Sequence, residues 1–279
     1  MTTETGVDGT TRRQVLGGLA SLAGLARAGS AVAQPPALPN QGLALRKLAF
    51  SMDTAPFYWW LRGTRYGLVD GEMTPFWDMH VGSLSVAKDL PGGKYQVSTI
   101  YVSFYTDIAT GQFIQNFKNP FTGKTVPILY FPARLSRSIH VPDGTPETPP
   151  INVMKGLTSR WLQGPLWVEG DRIYLRSDHL LRGVDAGGQP VRVNDLSTYS
   201  GVLQDVLDPK ILRVQSEQIF NDDNTWPAWL GMGTLPGTYF SRAFGRKVFD
   251  YAEMPAVWRG LMASHYPDIA RNPARVLAG

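Results

Sequence analysis

Residues 57–107 constrain the fold most, because they read as three long strands in succession, Phe57–Val69, Met73–Ala87 and Tyr95–Asp107, separated by Asp70-Gly71 and Pro91-Gly92-Gly93. Both separators are hairpin signals. In the third run Val97, Thr99, Tyr101, Ser103 and Tyr105 alternate with Ile100, Val102 and Phe104, so neither face is simply polar and cover is expected on both. Strand signals continue. Gln112–Phe117 and Thr125–Phe131 flank the turn Asn119-Pro120-Phe121-Thr122-Gly123, Leu166–Glu169 and Arg172–Leu181 flank Gly170-Asp171, and Gln189–Val193, Ile211–Phe220 and Lys247–Tyr251 follow. The spacing of Tyr199, Val202, Leu203, Val206 and Leu207 predicts a short covering helix within Ser197–Leu207. Val257, Trp258, Leu261, Met262 and His265 share one stripe of a C-terminal helix between Pro255 and Pro267. Pro142–Pro150 holds four prolines and reads as a surface loop or lid.

Long aromatic strands on short connections are best closed on themselves, which removes exposed edges. The expected architecture is therefore mainly β: a lipocalin-like antiparallel barrel with a short covering helix and a C-terminal helix. A two-sheet β-sandwich is the alternative. In a small barrel the interior is either filled by side chains or left as one ligand cavity.

The first 33 residues read as a leader. Thr11-Arg12-Arg13-Gln14-Val15-Leu16 opens an apolar stretch that runs to Ala26, and Ala31-Val32-Ala33 supplies an A-x-A site before Gln34. This is the pattern of a twin-arginine export signal, too short to span a bilayer, so cleavage rather than a stable membrane anchor is expected. The expected partner during export is the twin-arginine translocase, and the expected location is the periplasm or the exterior. Residues 34–279 then form one β-rich domain carrying 24 Lys and Arg against 21 Asp and Glu, too mild an excess for nucleic acid. The absence of cysteine excludes disulfides, thiolate nucleophiles and cysteine-held metals.

On the first hairpin Tyr58, Trp60, Arg62 and Thr64 alternate onto one strand face, and Phe76, Asp78 and His80 onto one face of the next. Turned into a lumen, this set makes a ligand site with Asp78 and His80 as acid and base; turned outward, it is a solvated ion pair. A second set, Trp226, Trp229, Arg242 and Arg246, lines a cavity mouth in one reading and plugs a barrel end in the other. No histidine pair has metal-site spacing, which leaves only a set gathered from distant strands, such as Asp78, His80 and His179. Neither a metal nor a cofactor is expected. There is no G-x-S-x-G elbow, and Gly231-Met232-Gly233 lacks the setting of a dinucleotide fingerprint.

Asn119-Pro120-Phe121-Thr122-Gly123, Trp226-Pro227-Ala228-Trp229 and Gly245-Arg246-Lys247, in this order behind the leader, resemble the bacterial proteins grouped as domain of unknown function 1838. The resemblance covers most of the mature chain. It implies an exported bacterial protein and gives no residue a catalytic role. From the residues, the expected function is binding of a small amphipathic or apolar ligand inside the barrel. The alternative is a metal-independent isomerase, cyclase or lyase that uses Asp78 and His80.

Overall fold

Alternating runs this long pair along their whole length when each neighbour matches them, and in the computed structural model they do. It describes residues 38–147, 155–184 and 188–278; the expected leader and part of the proline-rich loop lie outside these. Strands β1 (Phe57–Val69), β2 (Glu72–Asp89), β3 (Tyr95–Thr106) and β6 (Leu135–His140) form one antiparallel meander. A second comprises β7 (Lys155–Glu169), β8 (Arg172–Val184), β9 (Pro190–Val202), β10 (Ser216–Asn224) and β11 (Thr238–Val248). Pairing of β1 with β11 joins them into one nine-stranded sheet ordered β6-β3-β2-β1-β11-β10-β9-β8-β7. The sheet curls into a half-barrel, the expected architecture with its seam between β6 and β7 left unpaired. β4 (Asn116–Lys118) and β5 (Thr125–Pro127) make a separate small hairpin.

Glycine permits the curl. At Gly63 of β1 and Gly245 of β11 a Cβ would stand 1.9 Å from the carbonyl oxygens of Arg242 and Trp60 respectively, so only glycine lets the two strands approach this closely. The result is that distant strands face each other: the rings of Trp59 on β1 and Tyr199 on β9, three strand spacings away, stand 5.6 Å apart. On a flat sheet that separation would be about 14 Å.

The convex face of β1–β3 is covered by the C-terminal helices α3 (Ala256–His265), α4 (Pro267–Arg271) and α5 (Pro273–Ala278). Trp258 rests on Gly82, where a Cβ would come within 2.3 Å of the indole, and donates to the carbonyl of Val102 at 3.3 Å. Its neighbours Tyr58, Leu84, Ile100, Val102 and Met262 are buried. Burying each such side chain contributes about 1.5–3 kcal/mol.

Helix α1 (Gln41–Ala49), which the sequence reading left unassigned, closes one end of the concavity. Asn40 caps it by accepting from the backbone N–H groups of Gly42 and Leu43. Its buried face carries Ala44, Leu45 and Leu48 against Ile173, Leu175 and Val214. It also bridges the seam, since Gln41 donates to Gly164 of β7 while Arg46 lies 4.5 Å over the ring of Tyr95 on β3. The last four carbonyls of α1 would be orphaned without outside donors. Lys247, 1% exposed, donates to those of Lys47, Leu48 and Phe50, and the Trp59 indole donates to Ala49 at 2.8 Å.

Several boundaries differ from the sequence reading. The expected helix in Ser197–Leu207 is strand to Val202, and only Leu203–Leu207 is helical (α2). Ser197–Gly201 pairs with β8 on one side and β10 on the other, and two ladders outweigh a helical apolar spacing. β10 begins at Ser216 rather than Ile211, and β11 occupies Thr238–Val248 rather than Lys247–Tyr251.

Candidate functional site

Because directly opposed residues in an antiparallel sheet point to the same face, the register draws a single row across the concavity. Arg65 on β1 lies opposite Trp77 on one side and Ser241 on the other. Ser241 faces Asp222, Asp222 faces Asp195, Asp195 faces His179, and His179 faces Trp161. Seven consecutive strands thus each contribute one concave side chain, and five of the seven are polar.

Arg65 and Asp222 form a buried ion pair, and the guanidinium lies 4.3 Å over the ring of Tyr239. Burial works against the charge on Arg65, but Tyr239 and Asp222 outweigh it and raise its pKa. Only one Asp222 oxygen is used. Asp222 Oδ1, Arg65 Nε, Ser241 Oγ, and the indole nitrogens of Trp77 and Trp161 are buried without a hydrogen-bond partner in the protein. Native interiors leave few such atoms.

Asp195 is part-exposed on the floor of the concavity and has no ion pair among the described residues. Burial and then the neighbouring Asp222 carboxylate push its carboxyl up to about 7, against the opposing pull of Arg65. His179 beside it is neutral, its pKa lowered by burial to about 4. The imidazole stacks on Trp161 at 4.1 Å, and its Nε2 meets Ser159 Oγ at 2.8 Å.

Above this row the concave face is mixed, with Phe220, Tyr199 and Tyr101 interspersed with Ser177, Ser197 and Gln218. Phe220, opposite Ala243, is part-exposed, and Tyr101 retains 49% of its surface, so protein does not fill the space between the two meanders. Gln218 Nε2 donates to Ser197 Oγ at 2.9 Å and contacts the Tyr199 hydroxyl at 3.4 Å.

The residues singled out from the sequence fall elsewhere. Tyr58, Trp60, Arg62, Asp78 and His80 all lie on the convex face. Asp78 accepts from Thr64 Oγ1 at 2.8 Å, and His80 Nε2 meets Thr106 Oγ1 at 3.1 Å, so both are held by neighbours on adjoining strands. Burial, then Arg62, lowers the His80 pKa while Asp78 opposes them. A register shift at Arg65/Tyr66 takes Phe76 out of the Asp78/His80 alternation, and its ring lies 5.4 Å from Trp77. Arg242 and Arg246 are exposed on the convex face, the latter paired to Glu217 at 2.9 Å. His179, on the concave face, does not meet Asp78 or His80, and the described residues contain no cluster of metal-binding type.

Trp226 and Trp229 join Phe76, Trp77, Phe117 and Phe121 in an aromatic plug at the end opposite α1. Asn119, fully buried, donates to the carbonyl of Leu230 at 2.9 Å and so ties the β4–β5 turn to the Trp segment. Two of the three motifs quoted above therefore meet in the plug, and the third supplies the Gly245 bend and the Lys247 cap.

The row Arg65–Asp222–Asp195 escaped the sequence reading because Arg65 and Asp222 are 157 residues apart and only cross-strand register brings them together. A local signal existed in Asp222-Asp223 inside a strand, where paired acids are unusual. No described helix is long and apolar enough to cross a membrane. Comparison of the chain with protein-family models, curated proteins and solved structures returned no match to any of them.

Proposed function

We propose that the protein is exported and binds one small amphipathic molecule on its concave face, with the polar end on the Arg65–Asp222–Asp195 row and the apolar body against Phe220 and Tyr101. The observation that supports this most is the surface that Tyr101, Phe220 and Asp195 leave uncovered on the concave face, an acid together with two aromatic rings. A site with apolar walls and a few convergent polar groups is the usual form of a small-molecule pocket.

The test is titration of the mature chain with the neutral fluorophore N-phenyl-1-naphthylamine. Saturable one-to-one enhancement in the wild type, lost in Ser177→Trp, is the expected result. Linear, unsaturable enhancement would overturn the reading. Export is tested separately by the N-terminus of protein recovered from the periplasm, expected at Gln34.

A further inference from the structure

On the convex side, where α5 lies over the end of the first meander, is a cavity of about 460 Å³. Its floor is set by strand register. Lys88 on β2 stands directly opposite Gln96 on β3, while Ser98 on β3 stands opposite Val86 on β2 and Arg137 on β6. All five share the convex face with Leu84, which packs in the cluster under Trp258. Ala274 and Leu277 of α5 and Pro56 before β1 add an aliphatic wall.

Two cations flank this floor, one on each side of β3, and neither is neutralised. Lys88 and Arg137 are exposed, both line the cavity, and neither has an ion pair or a side-chain hydrogen bond among the described residues. No Asp or Glu lines the cavity. Gln96 Nε2 donates to Ser98 Oγ at 3.2 Å. The second amide hydrogen of Gln96 and the hydroxyl hydrogen of Ser98 remain to be donated. Charge and donors therefore favour an anion, and they repel an amine. The rest of the lining is aliphatic, which a bare inorganic anion would leave uncovered, whereas a carboxylate on a hydrocarbon chain satisfies both parts.

We propose that this cavity is a second binding site, for a monocarboxylate with a short aliphatic chain: the carboxylate lies between Lys88 and Arg137, and the chain runs along Pro56, Val86 and Leu277. The site is separate from the concave face and does not depend on a ligand there. Calorimetry compares hexanoate with 1-hexanol, hexylamine and inorganic phosphate. Hexanoate is expected to bind about tenfold more tightly than the other three, the margin of one charge-assisted hydrogen bond. Lys88→Gln/Arg137→Gln, which changes two exposed side chains and should leave the circular dichroism spectrum as it is, is expected to remove that preference. Ser177→Trp, which blocks the concave face, is expected to leave it in place. Equal affinity for hexanoate and hexanol, a preference that survives the double variant, or its loss in folded Ser177→Trp would overturn the proposal. Phosphate bound as tightly as hexanoate would overturn the assignment of an aliphatic carboxylate.

Discussion

Each face of the curled sheet carries an acid beside a histidine, and the two pairs are held in opposite ways. On the convex face Asp78 and His80 each have a threonine partner on a neighbouring strand, and His80 is buried. On the concave face Asp195 is part-exposed with no ion pair among the described residues, and its buried neighbour Asp222 uses one oxygen of two. Residue type is the same in both places; what differs is whether the sheet itself satisfies the polar atoms. A satisfied pair stabilises a surface, whereas an unsatisfied one facing a concavity has capacity left for a ligand.

Substitutions can break this contrast. The largest expected effect is on the convex side, where Trp258→Ala empties the space over Gly82 and should cost about 3–5 kcal/mol in urea unfolding, with fluorophore binding retained in the folded fraction. On the concave side Arg65→Met should cost about 3 kcal/mol, because it strands the buried Asp222 charge. Arg65→Met/Asp222→Leu should recover most of that loss. If the double variant were no more stable than the single, the ion pair would not be the source of the cost.

The pH dependence of stability sharpens the contrast further. The carboxyl of Asp195 is raised to about 7 in the folded chain, above the ordinary carboxylate value, so protonation favours the fold. That contribution is complete below about pH 4 and lost as the pH rises through about 7. His179 acts in the opposite sense: its pKa is lowered to about 4, so its contribution is present above about pH 6.5 and lost as the pH falls through about 4. Asp195→Asn should therefore melt higher than the wild type at pH 8 and nearly the same at pH 4, leaving the histidine trend exposed. Identical melting at pH 8 would show that Asp195 is not desolvated. The smallest effect belongs to the satisfied pair: Asp78→Ala should cost about 1 kcal/mol and leave binding untouched.

The long strands were legible because alternation and turn residues act locally; β1 runs from Phe57 to Val69 as its sequence implies. That the sheet curls was legible from the need to remove exposed edges, but where it bends was not, since Gly63 and Gly245 meet partners that lie at the far end of the chain from them. Facing was not legible either. The alternation of Tyr58, Trp60 and Arg62 shows that they share a side, but only the placement of α3 and α1 decides which side is concave. The Trp226/Trp229 segment illustrates the same limit, as plug and cavity mouth use the same residues and the contact of Asn119 with Leu230 decides between them. Helix α1 did carry a local signal: Asn40 is a start residue, and Ala44, Leu45 and Leu48 follow it at helical spacing.

The most direct test of the central claim, that the concave face and not the convex one receives the ligand, is a matched pair of blocking substitutions read by the neutral fluorophore. Ser83→Trp puts an indole into the concavity beside Tyr101, and Ile219→Trp puts the same indole on the exposed convex surface. With both variants folded by circular dichroism, the account predicts that Ser83→Trp abolishes saturable binding and Ile219→Trp leaves it unchanged; the reverse pattern would contradict it.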